Sequence, residues 1–230
     1  MNSKHHPLFQ QYPLVSTRVL SNGARVPVPY HIYDGSLLFI GGTAELSAVS
    51  TLLQAESVTP IQTSDGKALM AVWACDFREA SLGAHQELQF SLFVSRTPQV
   101  VVRPHPFTIL DASAFNPVVR MMCHGLWNNT ENVVLYNREI LGLNAQRTTG
   151  QIDIGKSEST FNFTDEQGSP IFKGHVQHPA AQPSGVLFSL MGLFGWRNMI
   201  TSSMQPWLSM QVMNPIGTVI AHNAEAQAYT

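Results

Sequence analysis

Glu87, Gln89 and Ser91 stand at alternate positions of Glu87-Leu-Gln-Phe-Ser-Leu-Phe-Val94, with Leu88, Phe90 and Leu92 between them. That is the two-residue period of a β-strand, polar on one side and apolar on the other. A glutamate at the head of such a strand has two uses. Turned into a dry cavity, it loses the water that stabilises its charge, its pKa rises toward neutrality, and it becomes a general acid or base. Held at a turn, it pairs with an arginine or caps the backbone.

A second group lies in Asn137-Arg-Glu-Ile-Leu-Gly-Leu-Asn-Ala-Gln-Arg147. Asn144 and Gln146 carry uncharged amides that can hydrogen-bond a ligand's oxygen atoms and steady charge developing there. Arg138 can contact a substrate, or can pair with Glu139 and support the turn that follows. Trp73, within the apolar run Ala68–Cys75, is a further candidate substrate contact. Asp76 and Arg78 form either a polar cluster near a cavity mouth or a solvated turn.

Amine chemistry has few carriers, because only Lys4, Lys67, Lys156 and Lys173 are lysines among the 13 basic residues. Lys156 and Lys173 each follow a strand-like run, where lysines are usually solvated. The nine histidines form no convincing ligand set. His175 and His178 have a helical spacing beside Gly174 and Pro179, Cys123 and His124 diverge on a helix, and His5-His6 lies near the N-terminus. No metal and no cofactor is therefore expected. Neither a nucleophile elbow, a P-loop nor a dinucleotide-binding glycine motif occurs.

The elements that must position these groups read mostly as short strands. Candidates are 36–41, 68–75, 87–94, 100–103, 133–136, 151–154, 160–163, 171–172, 210–213 and 217–220. Two helices are expected, over 43–56 with Thr43 as N-cap and over 114–124 with Pro117 in the first turn. Residues 1–29, punctuated by Pro7, Pro13, Pro27 and Pro29, read as irregular. There is no repeat and no linker-like composition, so residues 1–230 are expected to form one domain. Its class is mainly β (α+β), a largely antiparallel sheet or barrel with a few helices alongside.

Composition narrows the function. Hydrophobic residues make up 44% and charged residues 12%, a thin charged shell that fits a homo-oligomer or a large apolar cavity. A net charge of −2 gives no electrostatic footprint for nucleic acid or an anionic membrane. Cys75 and Cys123 sit in apolar runs and read as buried free thiols. The first residues have no apolar core of signal-peptide length, and the longest apolar stretch, 186–194, is too short to span a bilayer. The sequons at Asn128 and Asn162 are accordingly read as fortuitous, and the expected location is the cytoplasm. The segment 185–208, rich in Leu, Phe, Met and Trp, is either core or interface, or a wall that closes on an apolar ligand.

Three blocks taken in order, VPYHIYDGSLLFIGGTAELSAVSTLL (28–53), GKALMAVWACDFREASLGAHQELQFSLFVSR (66–96) and NREILGLNAQR (137–147), resemble the acetoacetate decarboxylase family. The resemblance covers roughly residues 28–155. It implies an antiparallel β-cone or barrel enclosing a cavity, peripheral helices and a homo-oligomer. Its chemistry is a buried lysine that forms a Schiff base with a keto acid, the amine being activated by a depressed pKa. Here Asn144-Ala145-Gln146 stands where the family has Pro-Lys-Lys, Asp34 stands in place of a site arginine, and Val72 in place of one of two glutamates. The second glutamate is matched by Glu87.

Neither alanine nor glutamine can form an imine. The resemblance therefore implies a cavity that binds a small or medium apolar carbonyl or enol compound of specialised metabolism, with Glu87 moving a proton in non-covalent isomerisation, dehydration, cyclisation or decarboxylation. The alternatives are a non-catalytic ligand-binding or scaffold protein of the same fold, and a Schiff-base lyase with a relocated lysine at position 156 or 173.

Overall fold

The computed structural model describes residues 9–10, 12–97, 100–103, 108, 112, 116, 118–155, 157–177, 196–200, 209–212 and 223–228, the last three segments and residue 177 by backbone alone. In chain order the elements are β1 (Ser16–Val19), β2 (Arg25–Val28), β3 (Ile32–Glu45), α1 (Leu46–Leu52), β4 (Thr59–Pro60), β5 (Gln62–Thr63), β6 (Lys67–Ala80) and β7 (His85–Ser95). There follow β8 (Val101–Val102), β9 (Arg120–Asn128), α2 (Glu131–Glu139), β10 (Ala145–Arg147), β11 (Thr149–Ile154), β12 (Glu158–Thr164), β13 (Pro170–Gln177), β14 (Trp196–Ile200), β15 (Ser209–Val212) and β16 (Asn223–Ala228). The protein is mainly β, as its alternating sequence predicts.

The larger sheet is organised around β3, β6, β7 and β9, which pair antiparallel in that order, while β10 and β14 join β9 in parallel. A smaller antiparallel sheet runs β11-β12-β13-β16. The two sheets share an apolar layer. Val72, Ala74 and Leu88 of the larger meet Phe161, Phe163, Ile171, Phe172 and Val176 of the smaller. Rings lock this layer: Phe161 stacks on Phe172 at 5.1 Å, and Phe90 meets Trp127 and Phe172 edge-on at 5.2 and 5.6 Å.

The opposite face of the larger sheet is covered differently. Leu69, Ala71, Phe93, Met121, Cys123 and Leu126 pack there with Val134 of α2 and with Leu143 and Ala145 beyond it. The β1–β2 hairpin closes over α2, burying Leu20 and Val26 against Tyr136. Strand β7 is thus buried on both sides, and its polar face looks into the protein.

Four expectations from sequence are corrected. Residues 133–136 are helical, because Val133, Val134, Tyr136 and Asn137 all fall on one buried side of α2; two adjacent valines imitate a strand. Residues 120–124 are strand, because β9 lies between β7 and β14 with Met121, Met122 and Cys123 all buried. A strand covered on both faces has the continuous apolar run that a short helix also shows.

The first helix begins at Leu46, with Glu45 as its N-cap in place of Thr43. Residues 43–45 remain extended because they pair with Leu69, Ala68 and Lys67, and the Lys67–Glu45 ion pair closes that end. Finally, the N-terminal region holds the β1–β2 hairpin. Its Asn22-Gly23 turn, with Gly23 at φ 84°, is a hairpin signal that four prolines obscure. The expected strand at 217–220, Lys156, His178 and most of the apolar segment 185–208 lie outside the described residues.

Candidate functional site

Strand pairing assembles the site. In register, Glu87 of β7 lies between Cys75 of β6 and Asn128 of β9. Gln89 lies opposite Trp73, and donates from Nε2 to Ser91 Oγ at 2.6 Å. The alternating polar residues thus form a row beneath α2, the interior counterpart of what the sequence pattern suggests. Val72 points into the layer between the sheets. The position facing Glu87 across β6 is therefore Cys75.

The carboxylate is held from one side. Asn128 Nδ2 donates to Glu87 Oε2 at 2.9 Å, and Asn137 Nδ2 of α2 donates to Asn128 Oδ1 at 2.9 Å. Asn128 is wholly enclosed, so its side chain serves this contact and not glycosylation. Glu87 itself retains some accessible surface, yet protein surrounds it closely. Desolvation raises its pKa from 4.5 to about 7, against the hydrogen bond from Asn128, which favours the charged form. Glu87 is thus a desolvated acid in a residue that is not fully enclosed.

Three more groups sense that charge. Tyr30, Cys75 and Cys123 are all pushed up by burial first and by Glu87 second. Both cysteines are buried and free, as expected. Tyr30 lays its ring edge-on to Tyr136 at 5.1 Å, with His85 at 6.4 Å. His85 shares the Glu87 face of β7. Its Nδ1 lies 2.8 Å from the Gly83 carbonyl, which can only accept, so Nδ1 carries the hydrogen and Nε2 is a buried acceptor with no partner. Burial lowers the His85 pKa and keeps the ring neutral, despite the opposing effect of the Gly83 contact.

The other sequence candidates are placed as follows. Trp73 is partly accessible on the Glu87 side of β6, its ring edge-on to Phe39 at 4.6 Å. Ala145, the first residue of β10, is fully buried while Asn144 before it and Gln146 after it are exposed, since neighbours along an extended chain point opposite ways. The buried place in that short strand is therefore apolar. Arg138 Nε donates to the Ala145 carbonyl, and Glu139 accepts from the Ser21 amide at 3.0 Å, so the two do not pair but tie the turn and the hairpin to α2. Asp34 binds Arg78 at 2.8 Å on the surface, with Asp76 3.7 Å from the same guanidinium.

Lys67 is ion-paired to Glu45, and Lys173 is exposed on β13. Among the described residues, no group of three or more His, Cys, Asp or Glu side chains is arranged to hold a metal ion, and no helix is long and apolar enough to cross a membrane. Asn128, Asn137, Tyr30 and His85 were not legible as site residues. Only Asn137, the first residue of the amide-rich stretch, stood near one.

The fold is one already seen in an enzyme class. A structure described as acetoacetate decarboxylase aligns with a TM-score of 0.62 at 10% identity, over 88% of this chain and 76% of that one. Acetoacetate decarboxylase from Legionella pneumophila aligns with a TM-score of 0.57 at 8% identity, over 87% of this chain and 74% of that one. No protein-family model and no curated protein sequence matches the chain. The protein has the acetoacetate decarboxylase-like fold.

Proposed function

We propose that the protein is an enzyme that binds a small or medium apolar carbonyl or enol compound beside Glu87 and moves a proton within it without covalent capture. The observation that carries this reading is a glutamate not fully enclosed by the fold, its carboxyl group desolvated to a pKa of about 7 and held at one oxygen by Asn128. Such a group is present in both protonation states near neutral pH, so it can remove a proton at one carbon or oxygen and return it at another. A neutral His85 acceptor and a protonated Tyr30 phenol supply uncharged hydrogen-bonding groups nearby, which suits a ligand with no net charge. Trp73 offers an apolar wall. Asn144, Gln146 and Arg138 would reach a ligand only from the exposed side of β10 and α2. Isomerisation, dehydration, cyclisation and decarboxylation all require this type of proton movement.

The fold supports the reading in general form, and the stretch that resembles the family's Pro-Lys-Lys triplet holds a buried Ala145 and an exposed Gln146, neither of which can form an imine. Native mass spectrometry of the purified protein would reveal a co-purified ligand and the subunit number together. With that ligand in hand, Glu87→Gln is expected to abolish turnover while affinity stays within a few-fold. Undiminished turnover would remove Glu87 from the chemistry and leave a binding protein, or a different catalytic group, as the reading.

A further inference from the structure

The stretch 137–147 keeps one polar side chain buried alongside the apolar Leu143 and Ala145. Its first residue is Asn137, 2% exposed at the end of α2, whose side chain reaches Asn128 and through it Glu87. Its backbone is pinned as well: the Leu143 amide donates to the Asn137 carbonyl at 2.8 Å, and Arg138 holds the Ala145 carbonyl. Helix end, turn and β10 are therefore tied by hydrogen bonds to the segment that carries the Asn137 amide.

We propose that Asn137 is the positioning residue of the site, locking the Asn128 amide so that Glu87 always receives a hydrogen bond at Oε2 and exchanges its proton at Oε1. This rests on Glu87 being the proton carrier, but the lock is a separate physical claim. The orientation follows from donor and acceptor chemistry. Asn128 must present its NH2 to an ionised Glu87, which has no hydrogen to give. Its carbonyl then faces Asn137, which can satisfy it only by donating.

Without Asn137, the Asn128 amide is free to turn over. It would then offer its carbonyl to a protonated Glu87, stabilising the neutral acid and letting the proton settle on Oε2, away from the ligand. Both asparagines are at least nine-tenths buried, so water cannot readily substitute for the lost donor. A general acid whose two oxygens are made inequivalent delivers its proton along one direction, a requirement for any stereochemically defined transfer.

The test follows side-chain resonances of the full-length protein by NMR between pH 4 and 9: the Glu87 carboxyl carbon and the amide groups of Asn128 and Asn137. Asn137 does not touch Glu87, so an intact lock requires its amide to shift with the same midpoint as the carboxyl while staying protected from solvent exchange. An Asn137 amide that ignores the Glu87 titration, or exchanges freely, would overturn the proposal. In Asn137→Leu, the Glu87 midpoint is expected to rise by about one unit, the size of effect that one hydrogen bond to a carboxylate has. Asn132→Ala, on the exposed side of the same helix, should leave it unchanged. A midpoint unmoved in Asn137→Leu also overturns the lock; should that variant fail to fold, the wild-type titration decides. None of these readings involves turnover, so loss of the catalytic role of Glu87 and loss of the lock are distinguishable.

Discussion

Glu87 and Asn128 are direct cross-strand partners on β7 and β9, and their side chains meet at 2.9 Å beneath α2. This one contact sits between two opposing influences. Burial favours the neutral acid, and the amide donor favours the carboxylate. Burial wins, which leaves the group balanced near neutral pH and gives the site its predicted behaviour.

The balance has a signature in stability. Because the folded-state pKa lies above the unfolded value, the native protein binds the extra proton between pH 4.5 and about 7, and stability falls as pH rises through that window. The group's contribution is fully present below pH 4.5 and lost above about 7. The span corresponds to roughly 3 kcal/mol. Urea unfolding of wild type and Glu87→Gln at pH 4 and pH 8.5 should show the variant gaining on wild type by that order at the higher pH. A constant gap between the two would mean that Glu87 is solvated.

Borohydride reduction in the presence of a panel of keto acids should yield no mass adduct on this protein. The described lysines are committed elsewhere, Lys67 to Glu45 and Lys173 to an exposed strand position. An adduct mapped by peptide mass spectrometry to Lys156 or Lys173 would replace the proton-transfer reading with imine chemistry.

Cys75 and Cys123 are expected to resist alkylation. Burial, reinforced by the Glu87 charge, pushes both thiols up, so thiolate is scarce at pH 8. Iodoacetamide should label them many-fold faster in denaturant than in the native protein. Equal rates would show that this end of the sheet opens readily.

Gly35 is where β3 shifts register against β6, and a Cβ there would stand 2.9 Å from the Asp76 carbonyl and 3.2 Å from Phe77 Cα. Neither can yield without moving backbone. Gly35→Ala should cost about 1–3 kcal/mol. Gly42→Ala, in the same strand with nothing within 4 Å of the new methyl, should cost nothing measurable by thermal unfolding.

The core and surface polar contacts should differ sharply in weight. Phe93, wholly buried in the layer under α2, is expected to lose about 3–5 kcal/mol as Phe93→Ala. Arg78→Ala breaks contacts to Asp34 and Asp76, but the Arg78 and Asp34 side chains are 47% and 52% exposed, so the loss should stay below about 1 kcal/mol. Chemical denaturation of the two variants compares them directly.

Local pattern made much of this protein legible. Alternation identified β7 and put Glu87, Gln89 and Ser91 on one side, and the order of three sequence blocks pointed to the acetoacetate decarboxylase-like fold. The scarcity of lysine and the Asn-Ala-Gln stretch already excluded an imine at that place. Side-chain period and residue type are properties of adjacent residues, so no fold is needed to read them.

Other features depend on what lies across the chain. A strand covered on both faces and a helix with paired valines present the same apolar runs, so β9 and α2 could be told apart only by their partners. Whether a polar row meets water or protein is decided by the element above it, here α2. The Glu87–Asn128–Asn137 contact joins residues 41 and 9 positions apart. The sequence by itself singled out Glu87 as the candidate proton carrier and showed that residues 144–146 hold no amine. Tertiary structure alone decided how tightly that group is desolvated and which amide faces it, because burial and hydrogen-bond direction arise only when distant segments pack together.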